Sequence, residues 1–143
     1  MPAVSKKRIL SPKQLQQPNF IAGQLGEDHA RNFLKERGFL ILDHNWRTGR
    51  GRGGGGEIDL ICLDDAELVF VEVKTRRSDD FGGPAAAVNQ VKVKQLIRAA
   101  TAWHRDHPQY QNHSYRFDAV SVVLSSDDGP PEITHYQNIT WGY

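Results

Sequence analysis

Cysteine and long apolar runs are what this sequence has least of. Cys62 is the only cysteine among 143 residues, which excludes an internal disulfide and a zinc site built from several cysteines. No apolar run approaches the roughly 18 to 20 residues that span a bilayer. The basic residues Lys6, Lys7 and Arg8 are not followed by the hydrophobic segment that a secretory signal needs. We therefore predict a cytoplasmic protein with no membrane partner.

Net charge is also small. The formal value is +1, so bulk electrostatics do not indicate a nucleic-acid partner. The six histidines form no His-Glu-x-x-His pattern, and we assign no zinc. A chain of this length holds one domain with one substantial core. We place that domain at residues 19–143, after a Pro-, Ser- and Gln-containing segment, residues 1–18, that we predict to be a flexible tail.

Hydrophobic periodicity predicts a mixed α/β domain. The expected order is helix, three strands, helix and one or two strands, at residues 21–37, 39–46, 57–63, 68–75, 84–105, 115–124 and 133–136. Gly38 is expected to end the first helix, and Pro84 to begin the second. The order describes a meander sheet that is extended by a crossover strand and flanked by helices.

Two acidic segments inside apolar strand-like runs are the most informative feature. Asp59 lies in the run 56–61, and Glu72 and Lys74 lie in the run 69–76. If residues 64–67 form a tight loop, Leu63 pairs with Leu68, and the same register sets Asp59 opposite Glu72. Carboxylates on directly opposed residues repel strongly unless a proton or a cation lies between them. Magnesium, which binds oxygen ligands and needs only one or two carboxylates, is the expected cation.

An ordinary structural explanation is also open. The register places Glu57 opposite Lys74, so these two residues would form a cross-strand ion pair, and Asp59 would cap a loop or face solvent. Alternation along the strand puts Glu57, Asp59 and Ile61 on one face. Because the apolar neighbours mark both strands as buried, unpaired carboxylates there would be costly. This favours a metal site, with Lys74 placed to orient a water or to stabilise negative charge.

The motif order resembles a known family. Gly26-Glu27, Asn45-Trp46-Arg47, the run 56–61 (Gly-Glu-Ile-Asp-Leu-Ile) and the run 69–76 (Val-Phe-Val-Glu-Val-Lys-Thr-Arg) follow one another as in the YraN-like family of small bacterial proteins. That family is similar to the PD-(D/E)XK nucleases, which include restriction enzymes and archaeal Holliday junction resolvases. The resemblance covers residues 23–124, and it implies a restriction-endonuclease-like fold. The glycine-rich segment 49–56 is longer than the family usually carries.

The resemblance also implies roles for individual residues. Asp59 and Glu72 would ligate Mg²⁺ or Mn²⁺, and Lys74 would position the attacking water. Glu27 matches the first-helix glutamate that completes the site in the resolvases. The sequence gives Glu27 independent support, because it lies at the edge of the apolar stripe of its helix, although an ordinary boundary glutamate would lie there too.

Basic residues flank the acidic strands and are candidates for nucleic-acid contact. They are Arg47, Arg50, Arg52, Arg76, Arg77 and Lys92. Lys92 falls within the apolar stripe of the second helix, where a lysine either extends to the surface or reaches a buried anion. The arginines equally suit a solvated surface. Asp118 is interpreted as a structural partner for an arginine.

The sequence therefore predicts a metal-dependent endonuclease that acts on DNA, with branched or damaged DNA suggested by the resolvases alone. A non-catalytic nucleic-acid-binding or adaptor protein that keeps the fold is the alternative. A purely structural partner that uses its exposed helix faces is a third hypothesis. A homodimer would suit cleavage of two strands.

Overall fold

A computed structural model describes residues 18–47, 56–78 and 90–139, without the side chains of residues 18–20 and 90–92. Its elements are α1 (Pro18–Glu36), β1 (Leu40–Arg47), β2 (Glu57–Asp64), β3 (Glu67–Arg77), α2 (Gln90–Asp106), a 3₁₀ turn (Pro108–Tyr110), β4 (Tyr115–Leu124) and β5 (Glu132–Tyr136). The predicted element order is confirmed. Helix α1 ends before Gly38, whose φ of 90° only glycine adopts readily.

The five strands form one sheet in the order β1-β2-β3-β4-β5. All neighbouring pairs are antiparallel except β3 and β4, which are parallel. A parallel pair needs a crossover, and helix α2 lies in that connection. The sheet is thus the predicted meander with a crossover strand, and it belongs to the restriction-endonuclease-like class.

The β2–β3 hairpin has the predicted register. Leu63 pairs with Leu68, and one further pair, Asp64 with Glu67, closes the hairpin around a two-residue turn. Asp65 occupies this turn with φ of 51°, a left-handed conformation that aspartate tolerates better than most residues. The strands that carry the acidic residues are therefore tied together at this end by a short connection.

Two hydrophobic clusters cover opposite faces of the sheet. The α1 cluster packs Ala30 and Leu34 against alternate strand residues, namely Leu60, Cys62, Val69, Val71, Val120 and Val122. The α2 cluster packs Leu96, Ala99, Ala100 and Trp103 against Ile58, Ile61, Leu68, Phe70 and Phe117. Cys62 is a buried free cysteine in this core. The sheet therefore lies between the two helices, with α1 on one face and α2 on the other.

Asp118 is fully buried and has the predicted arginine partner. Arg116 Nε lies 3.0 and 3.2 Å from its two carboxylate oxygens. The same guanidinium reaches Glu67 at 2.6 Å and Asp64 at 3.0 Å. His135 Nε2 lies 2.8 Å from Asp118, and the Asn138 amide donates to it at 2.9 Å. This network fastens β4 to the hairpin end of β2 and β3.

Some predictions fall outside the described residues. They concern the tail up to residue 17, the start of the second helix between residues 84 and 89, and the glycine-rich segment 48–55 with Arg50 and Arg52. Lys92 lies in α2, but its side chain is outside the described part. Neither α1 nor α2 is apolar and long enough to cross a membrane.

Candidate functional site

The regular alternation of β2 breaks at Asp59. Ile58 and Ile61 both pack in the α2 cluster, whereas Leu60 packs in the α1 cluster. Residues 58 and 61 cannot share a face in a strictly alternating strand. The expectation that Glu57, Asp59 and Ile61 share one regular face therefore fails, because the alternation of packing is lost between Ile58 and Leu60. Asp59 lies at this irregularity.

The β2–β3 ladder also ends beside Asp59. Its last pair is Leu60 with Val71, so Asp59 and Glu72 are the next positions in the same register. Asp59 Oδ2 instead accepts a hydrogen bond from the Val73 amide at 2.7 Å. The carboxylate is thereby held across the gap between the two strands, next to Glu72.

Electrostatics at Asp59 are strongly unfavourable to its charge. Burial raises the pKa of Asp59 well above its ordinary value, and the negative charges of Glu72, Glu27 and Glu57 raise it further. The Val73 amide opposes the shift but does not cancel it. A carboxylate in such surroundings gains most from a proton or a cation. The charge of Glu72 is the second cause of the raised Asp59 pKa, after burial.

Glu72 and Lys74 follow one another on the same side of β3. Val71 and Val73 pack toward α1 and Phe70 toward α2, so alternation directs Glu72 and Lys74 toward the α2 face. Glu72 is only 7% exposed, whereas Lys74 is exposed. An ammonium group two residues beyond a buried carboxylate suits an anion that approaches from solvent.

Glu27 approaches Asp59 from helix α1. Burial raises the pKa of Glu27, a hydrogen bond with the Asn45 side chain lowers it, and the charge of Glu57 raises it again. The negative charge of Glu27 is one of the smaller causes that raise the pKa of Asp59.

A glycine allows α1 to approach the sheet at this level. A Cβ atom at Gly26 would lie 1.7 Å from the Thr75 hydroxyl oxygen, a distance that real Cβ atoms do not tolerate. Gly26 directly precedes Glu27, and Thr75 directly follows Lys74. The close contact between helix and strand thus fixes how far Glu27 reaches toward Asp59.

Gly26→Ala is expected to destabilise the protein by about 1–3 kcal/mol, the usual cost of overpacking. The matched control is Gly23→Ala, because a Cβ at Gly23 meets nothing within 4 Å. In a helix interior that control should gain about 0.5–1 kcal/mol. Chemical denaturation of both variants measures the difference. Equal stabilities would contradict the inferred close contact.

The donor set fits a hard cation better than a soft one. Asp59, Glu72 and Glu27 offer only carboxylate oxygens, the ligands that magnesium and manganese prefer. Among the residues that the structure describes, no three His, Cys, Asp or Glu side chains converge as a ready-made metal cluster.

The predicted basic residues lie in different surroundings. Arg47 is exposed and lies 3.3 Å from Glu57, so Glu57 forms an ion pair with Arg47, whereas the structural alternative had paired it with Lys74. Strand β1 is the neighbour that faces Glu57, which explains the change. Arg77 lines a groove of about 760 Å³ between α1 and the β4–β5 turn. Arg76 is half-buried at the end of β3.

Asn45 is the site residue that had no assigned role in the sequence. It belongs to the Asn-Trp-Arg motif, and it lies in the middle of β1 with φ of 50°. The sequence signal for this left-handed backbone is an asparagine inside a strand-like run, since asparagine is among the few residues that tolerate a positive φ. Its contact with Glu27 depends on tertiary structure and has no sequence signature.

Comparisons with known proteins agree with the motif order. The model of a family described as "Uncharacterised protein family UPF0102" matches residues 26–122. A UPF0102 protein of Anaeromyxobacter dehalogenans is 43% identical over 114 residues, which cover 80% of this chain and 79% of that protein. One of Chloroherpeton thalassium is 45% identical over 106 residues, covering 74% and 78%. One of an Arthrobacter species is 39% identical over 119 residues, covering 83% and 95%.

Proposed function

This chain belongs to the uncharacterised protein family UPF0102, the YraN-like family, and from the geometry of its carboxylates we propose that it is a metal-dependent endonuclease of the PD-(D/E)XK type. The proposed reaction is hydrolysis of phosphodiester bonds in DNA. The observation that carries the proposal is the Asp59–Glu72 pair. Two carboxylates are held as neighbours at a break in the sheet, where burial and mutual repulsion disfavour the charge of Asp59.

Each residue has a role that follows from its position. Asp59 and Glu72 would hold Mg²⁺ or Mn²⁺ with oxygen ligands, and Glu27 would bind a water of that ion or a second ion. A bound divalent ion lowers the pKa of a coordinated water and neutralises phosphate charge. Lys74, exposed beyond Glu72, is placed to orient the attacking water or to stabilise charge on the phosphate. The Val73 amide keeps the Asp59 carboxylate fixed.

The DNA strand is proposed to approach along the ends of β1 and β3, where Arg47 and Arg77 are exposed. The Arg47–Glu57 pair is a surface ion pair worth at most about 1 kcal/mol, so Arg47 can exchange Glu57 for phosphate at little cost. Arg50, Arg52, Arg76 and Lys92 extend the proposed contact surface. Branched or damaged DNA is the proposed substrate class, and a homodimer would cut both strands.

Cleavage of branched, nicked and single-stranded DNA with magnesium or manganese tests the proposal. The wild type should cut at least one of these substrates only when the metal is present. Glu72→Gln should lower the rate by about 100-fold or more, since it removes a charged ligand but keeps the shape of the side chain. Glu132→Gln is the control, because Glu132 is exposed on β5.

The outcomes separate the proposed enzyme from a binding protein. If the wild type binds DNA but cuts none of the substrates with either metal, the nuclease proposal fails and the adaptor hypothesis replaces it. If calorimetry detects no divalent-ion binding, the proposed metal centre itself is wrong. A Glu72→Gln variant as active as the wild type would remove Glu72 from the site.

A further inference from the structure

The charged residues of helix α2 are almost all positive. Besides its histidine, the helix contains Lys92, Lys94, Arg98 and Arg105, and its acidic residue is Asp106, at the last position. Helix α1, in contrast, mixes acidic and basic residues. A solvated helix face usually carries both signs, because oppositely charged neighbours stabilise it. The positive charge of α2 is therefore an asymmetry within a chain whose formal net charge is only +1.

Three of these residues form one stripe on the solvent side of α2. Lys94, Arg98 and Arg105 follow one another at helical spacing, so they lie within about 40° of one another on the helix surface, over a length of about 16 Å. All three are exposed. The helix buries its opposite side, where Leu96 and Trp103 pack in the α2 cluster. Lys94, Arg98 and Arg105 are called the basic stripe below.

The basic stripe has little negative charge to neutralise it. Within the part of the chain that the structure describes, neither Lys94 nor Arg98 forms an ion pair. Arg105 lies 3.7 Å from Asp106, but their side chains are 74% and 56% exposed. Such a surface pair contributes little and is easily exchanged. An external anion can therefore approach all three cations.

The basic stripe begins near the proposed carboxylate site. A Cβ atom at Gly56 would lie 2.4 Å from the Gln95 carbonyl oxygen, so the backbone of α2 touches the chain where β2 begins. Lys94 directly precedes Gln95, which places the first cation of the stripe at this end of the sheet. From there α2 runs toward the β2–β3 turn, where Trp103 packs against Phe70 with ring centroids 5.9 Å apart.

We propose that the basic stripe is a second contact surface for the phosphate backbone of a nucleic acid, separate from the surface at the ends of β1 and β3. The proposal rests on the proposed function, which it deepens by naming where the substrate continues. The stripe faces away from the sheet, and an α-helix with its side chains is about 10 Å thick. The phosphates at the stripe are therefore not those at Asp59 and Glu72. They belong to a neighbouring part of the same substrate, such as a second arm of branched DNA.

Other anionic partners fit this face less well. A helix that binds a membrane surface inserts a row of large apolar side chains, and a protein interface needs apolar or aromatic anchors. Among the α2 side chains that the structure describes, Ile97 is the one large apolar side chain that is exposed, at 42%. Phosphate contacts, in contrast, need only cations at the surface. The composition of the face therefore favours a nucleic acid.

The salt dependence of DNA binding provides the test. Fluorescence anisotropy with a four-way DNA junction is measured without divalent metal, at several salt concentrations, for the full-length wild type and Lys94→Gln/Arg98→Gln. Each lost phosphate contact lowers the slope of log K against log salt by about 0.9. The slope of this variant should therefore be smaller by about 1.8, and its affinity at 0.1 M salt should fall by about tenfold or more.

Lys35→Gln/Arg37→Gln is the matched control. It removes the same charge from exposed positions at the end of α1, and α1 lies on the opposite face of the sheet. Its slope should equal that of the wild type. If both variants lose the same affinity, only net charge matters and the proposal is overturned. A wild-type slope in the Lys94→Gln/Arg98→Gln variant overturns it as well.

The result is separable from nuclease activity. If the wild type binds the junction but does not cut it with metal, the proposed enzyme fails, while a reduced slope in Lys94→Gln/Arg98→Gln still supports the stripe. If the wild type cuts DNA, KM of the variant should rise with kcat unchanged, because the stripe binds substrate and transition state alike. An unchanged KM then overturns the stripe alone, and a wild type that binds no DNA overturns both proposals.

Phosphatidylserine vesicles provide a further comparison, because a membrane surface is also anionic. The wild type should not sediment with them at a salt concentration at which it binds the junction. Vesicle binding that Lys94→Gln/Arg98→Gln loses, together with an unchanged DNA slope, overturns the proposal in favour of a membrane surface.

Discussion

Asp59→Asn is expected to abolish magnesium-dependent cleavage and, in the same protein, to raise the stability of the metal-free state near pH 8. The activity should fall by about 1000-fold or more, which is on the order of 4 kcal/mol of transition-state stabilisation. The free energy of unfolding should rise by about 0.5–2 kcal/mol, the usual gain from removing one unfavourable interaction.

The two effects have one cause. Burial and the charge of Glu72 raise the pKa of Asp59 in the folded protein. Between the ordinary value, near 3.8, and the raised value, the folded state binds more protons than the unfolded state. Stability therefore falls as pH rises through that interval and stays reduced above it. Asparagine does not ionise, and its carbonyl oxygen can still accept the Val73 amide hydrogen bond.

Thermal unfolding of both proteins at several pH values checks this expectation. Asp59→Asn should be more stable than the wild type near pH 8. This difference in stability should disappear below about pH 4, where the wild-type carboxyl is protonated. Magnesium should raise the melting temperature of the wild type but not that of the variant. A variant that is less stable than the wild type at pH 8 would contradict the unfavourable charge inferred for Asp59.

Asp65→Asn is the matched control. It removes the same charge from the same hairpin, but Asp65 is exposed in the turn, and asparagine accepts its left-handed backbone. Its stability should change by less than about 0.5 kcal/mol. Magnesium affinity should equal that of the wild type.

The sequence predicted the strands and the hairpin register because both depend on local patterns. Leu63 pairs with Leu68 since apolar runs on each side of a short polar turn allow few other registers. The crossover strand β4 followed from the helix between it and the hairpin. These features depend on residues that are close in the chain, and the structure confirms them.

The finer geometry of the site depended on contacts that sequence patterns do not encode. Strict alternation along β2 was wrong because Ile58 and Ile61 pack in the same cluster, the α2 cluster. Glu57 forms its ion pair with Arg47 because Arg47 lies opposite it on the neighbouring strand β1. The approach of α1 depends on a single missing side chain, at Gly26, that makes room for Thr75. Each of these results from packing between elements, so only the assembled fold reveals it.

Arg116→Met is expected to cause the largest loss of stability, about 3–5 kcal/mol, which is typical when one partner of a buried ion pair is removed. Asp118 has no exposed side-chain surface, and Arg116 is only 14% exposed. Methionine keeps much of the volume but leaves the carboxylates of Asp118, Glu67 and Asp64 without their shared cation. The free energy of unfolding of a domain is only about 5–15 kcal/mol. A loss of this size should therefore leave the variant marginally stable.

The electrostatics support this expectation. Burial alone raises the pKa of Asp118, but hydrogen bonds from His135, Arg116 and the Asn138 amide outweigh it and leave the pKa below its ordinary value. Burial alone lowers the pKa of Arg116, and its three carboxylate partners raise it overall. Because the pKa of Asp118 is lowered, its contribution to stability is present above the ordinary value, near 3.8, and is lost as pH falls through the folded value.

Urea unfolding at neutral and acidic pH measures both the loss of stability and its dependence on pH. Arg116→Met should lose most of its stability at neutral pH and should show a weaker additional loss in acid, since one cause of the low Asp118 pKa is gone.

Arg105→Met is the control, because Arg105 and Asp106 form an exposed pair at 3.7 Å, and its change should stay within about 0.5 kcal/mol. Adding Asp118→Asn to Arg116→Met should recover part of the loss by removing the unpaired charge. If Arg116→Met unfolds at the same urea concentration as Arg105→Met, the network does not hold β4 to the hairpin.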